Sequence, residues 1–297
     1  MSKKNIASKI KNEYLGRTYA TFCGLLIVVL TLAILIFVFS KGISSIADGS
    51  ISIREFLFTK SWDPSGEPAK FGALVFIVGS TLVSIGAIVI SAPIAIALAI
   101  FINFISNKLG DRIIKPALEL FVGIPSVVYG WIGISFLVPL LKNTVGGLGF
   151  SLLAGILVLS IMTLPTIASI TSDSLAVIPH EYVEASYGLG ATRWQTISKV
   201  ILPSARSGIL TAIVLGIARA FGEALAVQMV IGNSVKFPSS ITDITSTLTG
   251  ILTMEMANTA TGSQWNNALW TLASLLLLIS FVFIIIIRFI GKRGEVK

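Results

Sequence analysis

The sequence predicts an all-α integral membrane protein with six membrane-spanning helices, and two observations lead to that fold class. The first is composition: 54% of the 297 residues are hydrophobic and only 12% are charged, whereas about a quarter of the residues of a soluble domain are charged. The second is that the apolar residues fall into six runs of roughly the 20 residues that cross a bilayer. The net charge of +8 is therefore interpreted through membrane topology and not as a sign of nucleic-acid binding.

The predicted spans are, in order, 19–39, 72–103, 116–140, 150–171, 207–232 and 267–290. The first is too long for the core of a signal peptide, so we expect it to be retained. The second, third and fourth contain Pro93, Pro125 and Pro165 respectively. Membrane helices tolerate such prolines where neighbouring groups satisfy the freed carbonyls, and the kinks that result can serve a gating helix.

Six spans place both ends of the chain on the same side of the membrane, and the Lys and Arg residues indicate which side. Of these 22 residues, fifteen lie on the side of the termini, six lie on the opposite side, and Arg219 lies within the fifth span. Because positive residues are enriched in cytoplasmic segments, we expect both termini in the cytoplasm. The segment 1–18 is then a cytoplasmic N-terminal segment, and 19–297 is one six-helix transmembrane domain.

The polar loop 172–206, between the fourth and fifth spans, is predicted to form two short helices joined by a glycine elbow. Glu181 and Glu184 place negative charge near the positive N-terminal end of the first helix. Gly188 or Gly190 can adopt the left-handed conformation that ends a helix.

The second short helix of this loop has its own start signal. Thr192 followed by Gln195 fits a capping box, so a helix should begin there and end near Leu202, with Pro203 marking a turn. By this chemistry alone, a docking surface and an ordinary amphipathic hairpin between two spans are equally good interpretations.

Two opposite charges, Arg219 and Glu223, lie inside the predicted fifth span. In a continuous helix their i,i+4 spacing puts both side chains on one face. A charge in the middle of a membrane costs at least a few kcal/mol unless it is paired or wet, so this face should point to the bundle interior or to a water-filled path. Two interpretations stay open: a salt bridge that fixes helix packing, or an anion path in which Arg219 is the positive element and Glu223 holds its geometry.

The run 123–130 in the third span combines Gly, Pro and two hydroxyl side chains, Ser126 and Tyr129. Gly and Pro loosen the helix, and the hydroxyls could line a substrate path. A kinked packing helix explains the same residues equally well.

Other features limit the kinds of site. The single Cys23 excludes an intramolecular disulfide and a thiol metal cluster, and together with the single His180 it excludes most metal-site and triad chemistry. The two larger external loops, 41–70 and 233–265, either present a surface to an extracytoplasmic partner or are structured caps.

The polar loop resembles the EAA signature of bacterial ABC importer permeases, in which EAA is followed by three residues, Gly, nine residues, Ile, one residue and Leu-Pro. This chain departs from the signature with Ser186 for the second Ala and Val200 for Ile. The matching residues are Glu184, Ala185, Gly190, Leu202 and Pro203. The resemblance implies that this loop, including Glu181, docks a separate ATPase subunit.

Four runs resemble the phosphate ABC importer permeases, in particular the PstC-type subunit: 61–64, 71–79, 123–130 and 219–233. The resemblance implies the type I importer permease fold in a bacterial plasma membrane. It also implies four partners: a second, PstA-type permease subunit, a dimeric ATPase, an extracytoplasmic phosphate-binding protein and membrane lipid. The chain has no Gly-x4-Gly-Lys-Ser/Thr phosphate loop, so ATP and Mg²⁺ would be bound by the partner ATPase, and this chain is expected to be neither an enzyme nor a cofactor carrier.

Three alternatives to a phosphate permease are considered. Another oxyanion, such as molybdate or sulfate, could be the substrate, because permeases for these anions resemble the run around Arg219. An intramembrane enzyme would need a nucleophile with its base, or metal ligands, at membrane depth, and the sequence offers neither. A passive anion channel would not need the docking loop, so ATP dependence separates it from an importer.

Overall fold

The structure is a computed structural model that describes residues 15–47, 49 and 52–292. It consists of helices and one two-stranded hairpin, which confirms the predicted all-α fold. In chain order the elements are α1 (Leu15–Ala47), α2 (Ile53–Phe58), β1 (Trp62–Asp63), β2 (Lys70–Phe71), α3 (Leu74–Ile100), α4 (Lys115–Gly123), α5 (Ser126–Ile132), α6 (Val138–Thr144), α7 (Leu152–Ala176), α8 (His180–Gly188), α9 (Arg193–Thr196), α10 (Arg206–Gly222), α11 (Leu225–Ile231), α12 (Leu248–Glu255) and α13 (Gln264–Lys292). Short helical turns continue or connect them at Phe101–Ile105, Asn107–Leu109, Gly110–Ile114, Gly133–Leu137, Ile197–Ile201, Leu202–Ser204 and Met256–Asn258.

Within the described residues, five helical segments are long and apolar enough to cross a membrane: Gly16–Ser44, Leu74–Ile105, Ser126–Thr144, Leu152–Ala176 and Gln264–Phe289. A sixth is obtained when Arg193–Ser204 and α10, which meet at a bend of 68°, are taken as one span. Helix α1 extends well beyond the predicted 19–39, and its exposed apolar side chains suit lipid or another membrane helix. Residues 1–14 of the predicted N-terminal segment lie outside the described part of the chain.

Helices α3, α7 and α10 form the centre of the bundle. Ala92 and Ala95 of α3 are buried against Ile167 of α7 and Ile217 of α10 in one cluster. Small residues let the helix backbones approach closely, and this close packing takes the place of the hydrophobic driving force that lipid does not provide. Helices α7 and α10 therefore lie directly beside each other.

Two predicted spans are not continuous helices. The third is interrupted at Ile124, which has extended backbone angles (φ −68°, ψ 128°) because a residue before proline, here Pro125, avoids the α conformation. The fifth is interrupted at Glu223 (φ −75°, ψ 126°), where no proline follows. By contrast, Pro93 and Pro165 lie within unbroken helices.

The segments 53–71 and 233–263, which we call the cap, cover the end of the bundle opposite the polar loop. The two segments are joined by one carboxylate: the indole nitrogens of Trp62 and of Trp265 at the start of α13 donate to Oε2 of Glu255, at 3.0 and 2.8 Å. Trp62 is 7% exposed. The cap is therefore a packed structure.

The external loops 41–70 and 233–265 contribute to a structured cap, one of the two interpretations that the sequence left open, and their predicted bounds are only partly right. The start of the first belongs to α1, and the centre of the second is buried at the start of α12. There the amide of Leu248 donates to Ser80 Oγ at 2.8 Å, and a Cβ at Gly79 would collide with the carbonyl oxygen of Ser246. One hydroxyl of this segment also bonds to the bundle: Thr249 Oγ1 donates to the carbonyl of Glu223 at 2.7 Å.

Candidate functional site: the polar loop and the break in the fifth span

The polar loop has the predicted helix–glycine–helix structure. Helix α8 begins directly after Pro179, and Gly190 has a φ of +82°, the left-handed conformation that glycine adopts without strain. The capping box is present: the amide of Thr192 donates to Gln195 Oε1 at 2.8 Å, and the amide of Gln195 donates to Thr192 Oγ1 at 3.3 Å. The turn after the second helix lies at Ala205 and not, as predicted, at Pro203.

A buried hydrogen bond joins the two short helices. Ser186 Oγ and Thr196 Oγ1 are 2.9 Å apart, and both side chains are buried. Ser186 is one of the two residues at which the chain departs from the EAA signature. An alanine there could not make this bond, so the departure has a structural role that the sequence alone did not reveal.

The outer surface of the loop is apolar and concave. Residues of both helices and of the turn between them surround a cleft of about 580 Å³. They include Ala185 and Gly190. Leu189 is 89% exposed and Trp194 is 67% exposed. Such large apolar side chains on a surface are typical of protein–protein contacts. Of the other loop residues predicted to dock a partner, Glu181, Glu184 and Pro203 are exposed. Leu202 is partly buried.

The structure contradicts the predicted pairing of Arg219 with Glu223. Helix α10 ends at Gly222, so the two residues do not share a helical face. Across residues 15–47, 49 and 52–292 the one ion pair is Lys115–Asp111. The i,i+4 argument failed because it assumed that the helix continues through Glu223.

The guanidinium of Arg219 has a hydroxyl as its partner. Its Nη1 donates to Thr166 Oγ1 of α7 at 3.2 Å, and its buried Nε has no hydrogen-bond partner among the described residues. Arg219 is thus a half-buried cation with incomplete hydrogen bonding. Buried polar groups are normally satisfied, and an exception requires an explanation. Sequence reasoning missed Thr166, because nothing local marks one threonine of α7 as the partner.

Glu223 instead stabilises the break in its own span. Its Oε1 accepts from the amide of Ala226 at 3.0 Å, which caps the start of α11, and its carbonyl accepts from Thr249 Oγ1 at 2.7 Å. A small cavity of about 10 Å³ lies beside it, lined in part by Ser84 and Thr247. The carboxylate therefore satisfies backbone groups that the interrupted helix leaves free.

The two hydroxyls predicted for the third span differ in availability. The hydroxyl of Tyr129 donates to the carbonyl of Phe121 at 2.8 Å, across the break at Pro125, and the side chain is 6% exposed. It is thus engaged with the backbone and does not offer a free hydroxyl. Ser126 is the first residue of α5 and is partly buried; its place in a substrate path stays a prediction.

The second halves of the two broken spans pack against each other. At Gly130 of α5 a Cβ would lie 2.6 Å from the sulfur of Met229 and 3.1 Å from Cα of Ala226. Only glycine allows α5 and α11 to come this close. The breaks at Pro125 and Glu223 therefore lie on helices in direct contact, and Arg219 precedes the second of these breaks by one turn.

The chain is similar to known membrane transport proteins. The family model of the "Binding-protein-dependent transport system inner membrane component" matches residues 91–295. The probable ABC transporter permease protein YqgH of Bacillus subtilis (strain 168) is 48% identical over 286 residues, which cover 96% of this chain and 93% of that protein. The phosphate transport system permease protein PstC of Mesorhizobium japonicum is 34% identical over 262 residues, which cover 82% of this chain and 79% of that protein.

Solved structures show the same fold. A bacterial ABC transporter involved in the import of the acidic polysaccharide alginate is 14% identical, with a TM-score of 0.66 and coverage of 98% of this chain and 100% of that one. The MetNI methionine ABC transporter in an inward-facing conformation is 24% identical, with a TM-score of 0.52 and coverage of 75% and 92%. At these identities the likeness concerns the fold alone, and that fold is the type I permease fold.

Proposed function

The chain belongs to the family of binding-protein-dependent transport system inner membrane components and is a permease subunit of an ABC transporter, and on this premise we propose that its transporter imports inorganic phosphate. In this proposal the chain forms half of the translocation path and docks the ATPase. The relatives named as phosphate permeases support the choice of anion. The chemistry of the break in the fifth span supports an anionic substrate.

The observation that carries the proposal is the state of Arg219. A guanidinium in a membrane span costs several kcal/mol unless its charge is balanced, yet no carboxylate among the described residues pairs with it. Within the described residues its guanidinium makes one hydrogen bond, from Nη1 to Thr166, so the other Nη N–H groups are left for an oxyanion, whose oxygens fit the planar donor fork of arginine. A phosphate ion passing the break would complete the hydrogen bonding that the protein leaves incomplete.

The polar loop is the proposed ATPase-docking surface. Its exposed apolar side chains and its cleft offer a partner a defined shape. The capping box, the glycine elbow and the buried hydroxyl pair hold that shape through contacts within the loop. Because this loop follows α7 directly, movement of the docked ATPase would be transmitted to the helix that carries Thr166.

The other two proposed partners are a second permease subunit and a binding protein, and each is proposed to contact a different part of the chain. A second, PstA-type permease subunit would complete the path, and an extracytoplasmic phosphate-binding protein would dock on the cap. Asn258, which is exposed at the edge of the cap, is a suitable crosslinking position for that protein. Trp62 is unsuitable for crosslinking because it is buried.

The proposal is tested by reconstituting the chain in proteoliposomes with the other subunits of its transporter and with its binding protein. Phosphate should stimulate ATP hydrolysis and should accumulate inside the vesicles only when ATP is present on the side of the ATPase. Stimulation by molybdate or sulfate in place of phosphate would contradict the choice of anion. Phosphate flux without ATP would indicate a passive channel.

A further inference from the structure

We propose that Thr166 is a positioning residue for Arg219: it fixes the direction of the guanidinium so that the Nη N–H groups that Thr166 does not occupy are presented to the transported anion. This inference rests on the proposed function. It replaces Glu223, which the sequence suggested for the same role, with a neutral hydroxyl on a different helix. The contact that carries it is the 3.2 Å hydrogen bond from Arg219 Nη1 to Thr166 Oγ1.

Thr166 is well placed to hold a side chain still. It lies between Pro165 and Ile167, both of which are buried in the core of the bundle. Its χ1 is restricted because threonine is β-branched. Among the described residues, the hydroxyl of Thr166 makes one hydrogen bond, the one that it accepts from Arg219. No second partner competes for this oxygen there.

The choice of a hydroxyl has a chemical consequence. An ionised carboxylate in this position would neutralise the guanidinium and compete with an incoming anion for its donors. A hydroxyl accepts the hydrogen bond from Nη1, leaves the full positive charge in place and leaves the other Nη N–H groups free. The side chain of Arg219 is then oriented while most of its hydrogen-bond donors stay unoccupied. This suits a site that must bind an anion and release it again.

The position of Thr166 also couples the site to the rest of the molecule. Helix α7 leads directly into the polar loop, whereas Arg219 lies on α10, beyond that loop in the chain. The hydrogen bond therefore joins the helix before the loop to the helix after it. A movement of the loop that shifts α7 against α10 would change the distance between Thr166 and Arg219, and with it the direction of the guanidinium.

Thr166→Val tests the proposal, because it keeps the branched shape and removes the acceptor. In the reconstituted transporter we expect phosphate uptake per ATP hydrolysed to fall on the order of tenfold, as for a lost hydrogen bond to a charged group. Thr166→Ser keeps the hydroxyl and should restore most of the uptake. The matched control is Thr171→Val on the same helix, where the buried hydroxyl has no hydrogen-bond partner and its loss should leave uptake unchanged.

A double variant separates positioning from direct contact with the anion. If Thr166 acts through the Arg219 guanidinium, then Thr166→Val should cause little further loss of the residual uptake in an Arg219→Lys background, which keeps the positive charge but not the guanidinium. A further loss of similar size would overturn the proposal and make Thr166 a substrate ligand in its own right. Normal uptake by Thr166→Val alone would also overturn it, while the loss caused by Arg219→Gln would leave the proposed function standing. Normal uptake by Arg219→Gln would overturn both.

Assembly of the variants is measured in parallel by co-purification of the ATPase. Should Thr166→Val not assemble, Thr166→Ala removes the same acceptor with a smaller side chain. If neither assembles while Thr166→Ser does, the hydroxyl is required for packing, and the positioning role is rejected.

Discussion

The polar loop and the break in the fifth span both interrupt a helix, but the contacts that stabilise them come from different distances along the chain. In the loop, the capping box joins residues three apart, and the pair Ser186–Thr196 joins residues ten apart. At the break, Thr249 reaches Glu223 over 26 residues, and Thr166 reaches Arg219 over 53. The hydrogen bonds that shape the loop are therefore local, although Ile197 and Ile201 also bury the loop against α3 and α7. At the break, the bond from the Ala226 amide to Glu223 is local, but the other polar groups are satisfied only within the folded bundle.

This difference matters for function. A surface that keeps its shape by local contacts can dock a partner as a rigid unit. A break whose polar groups are satisfied by other helices and by the cap changes when those elements move. In the proposed mechanism the loop transmits movement of the docked ATPase and the break responds to it.

The largest expected effect is at the elbow of the loop. Gly190→Val should reduce co-purification of the ATPase and coupled uptake severely, because a β-branched residue at a φ of +82° costs about 1–2 kcal/mol or more. Gly190→Asn is the matched control, since asparagine is of similar size and tolerates the left-handed conformation. Full assembly and uptake by the valine variant would contradict the role of the elbow.

Substitutions of Glu223 distinguish a helix cap from an ion pair. Glu223→Ala removes the acceptor for the Ala226 amide and should destabilise the solubilised complex by about 1–2 kcal/mol. Glu223→Gln keeps an oxygen acceptor and should cost much less. Thermal unfolding measures both. Equal and large losses in the two variants would show that the charge matters more than the hydrogen bond, and the cap interpretation would fail.

Two hydroxyl deletions compare the breaks themselves. Thr249→Val and Tyr129→Phe each remove the donor to a carbonyl at a break, and each should cost about 1 kcal/mol of stability. Of these two hydroxyls, that of Thr249 connects the cap to the span of Arg219. Uptake per ATP should therefore fall more for Thr249→Val than for Tyr129→Phe. An equal fall in both variants would mean that the two breaks contribute in the same way.

The smallest effect concerns pH at the cap. The amides of Ser239 and Ser240 donate to Asp243 and hold the pKa of its carboxyl below the ordinary value of 3.8. A lowered pKa contributes stability above the ordinary value that is lost as the pH falls through the folded value. Hydrogen exchange of the segment 239–243 should therefore rise as the pH is lowered below about 4, after correction for intrinsic rates. Asp243→Asn should show no such pH dependence.

The same comparison explains how far the sequence could be interpreted. The turn chemistry of the loop was predicted in detail because Thr192, Gln195 and Gly190 act on their immediate neighbours. The break at Glu223 was missed because no residue beside it forbids a helix. Thr249, the partner of Glu223, and Thr166, the partner of Arg219, become their neighbours only in the folded protein. The contact that joins the cap was not predicted for the same reason, since the partner of Trp62 is Glu255, 193 residues away.

Transport by single charge-neutralising variants tests the central claim most directly, namely that Arg219 serves the anion while Glu223 serves the backbone. Phosphate uptake and ATP hydrolysis are measured in proteoliposomes that contain the whole transporter, with Arg219→Gln or Glu223→Gln in this chain. We expect Arg219→Gln to assemble and hydrolyse ATP but to lose uptake, and Glu223→Gln to retain most of its uptake. Equal loss of uptake in both variants, or normal uptake by Arg219→Gln, would contradict the account.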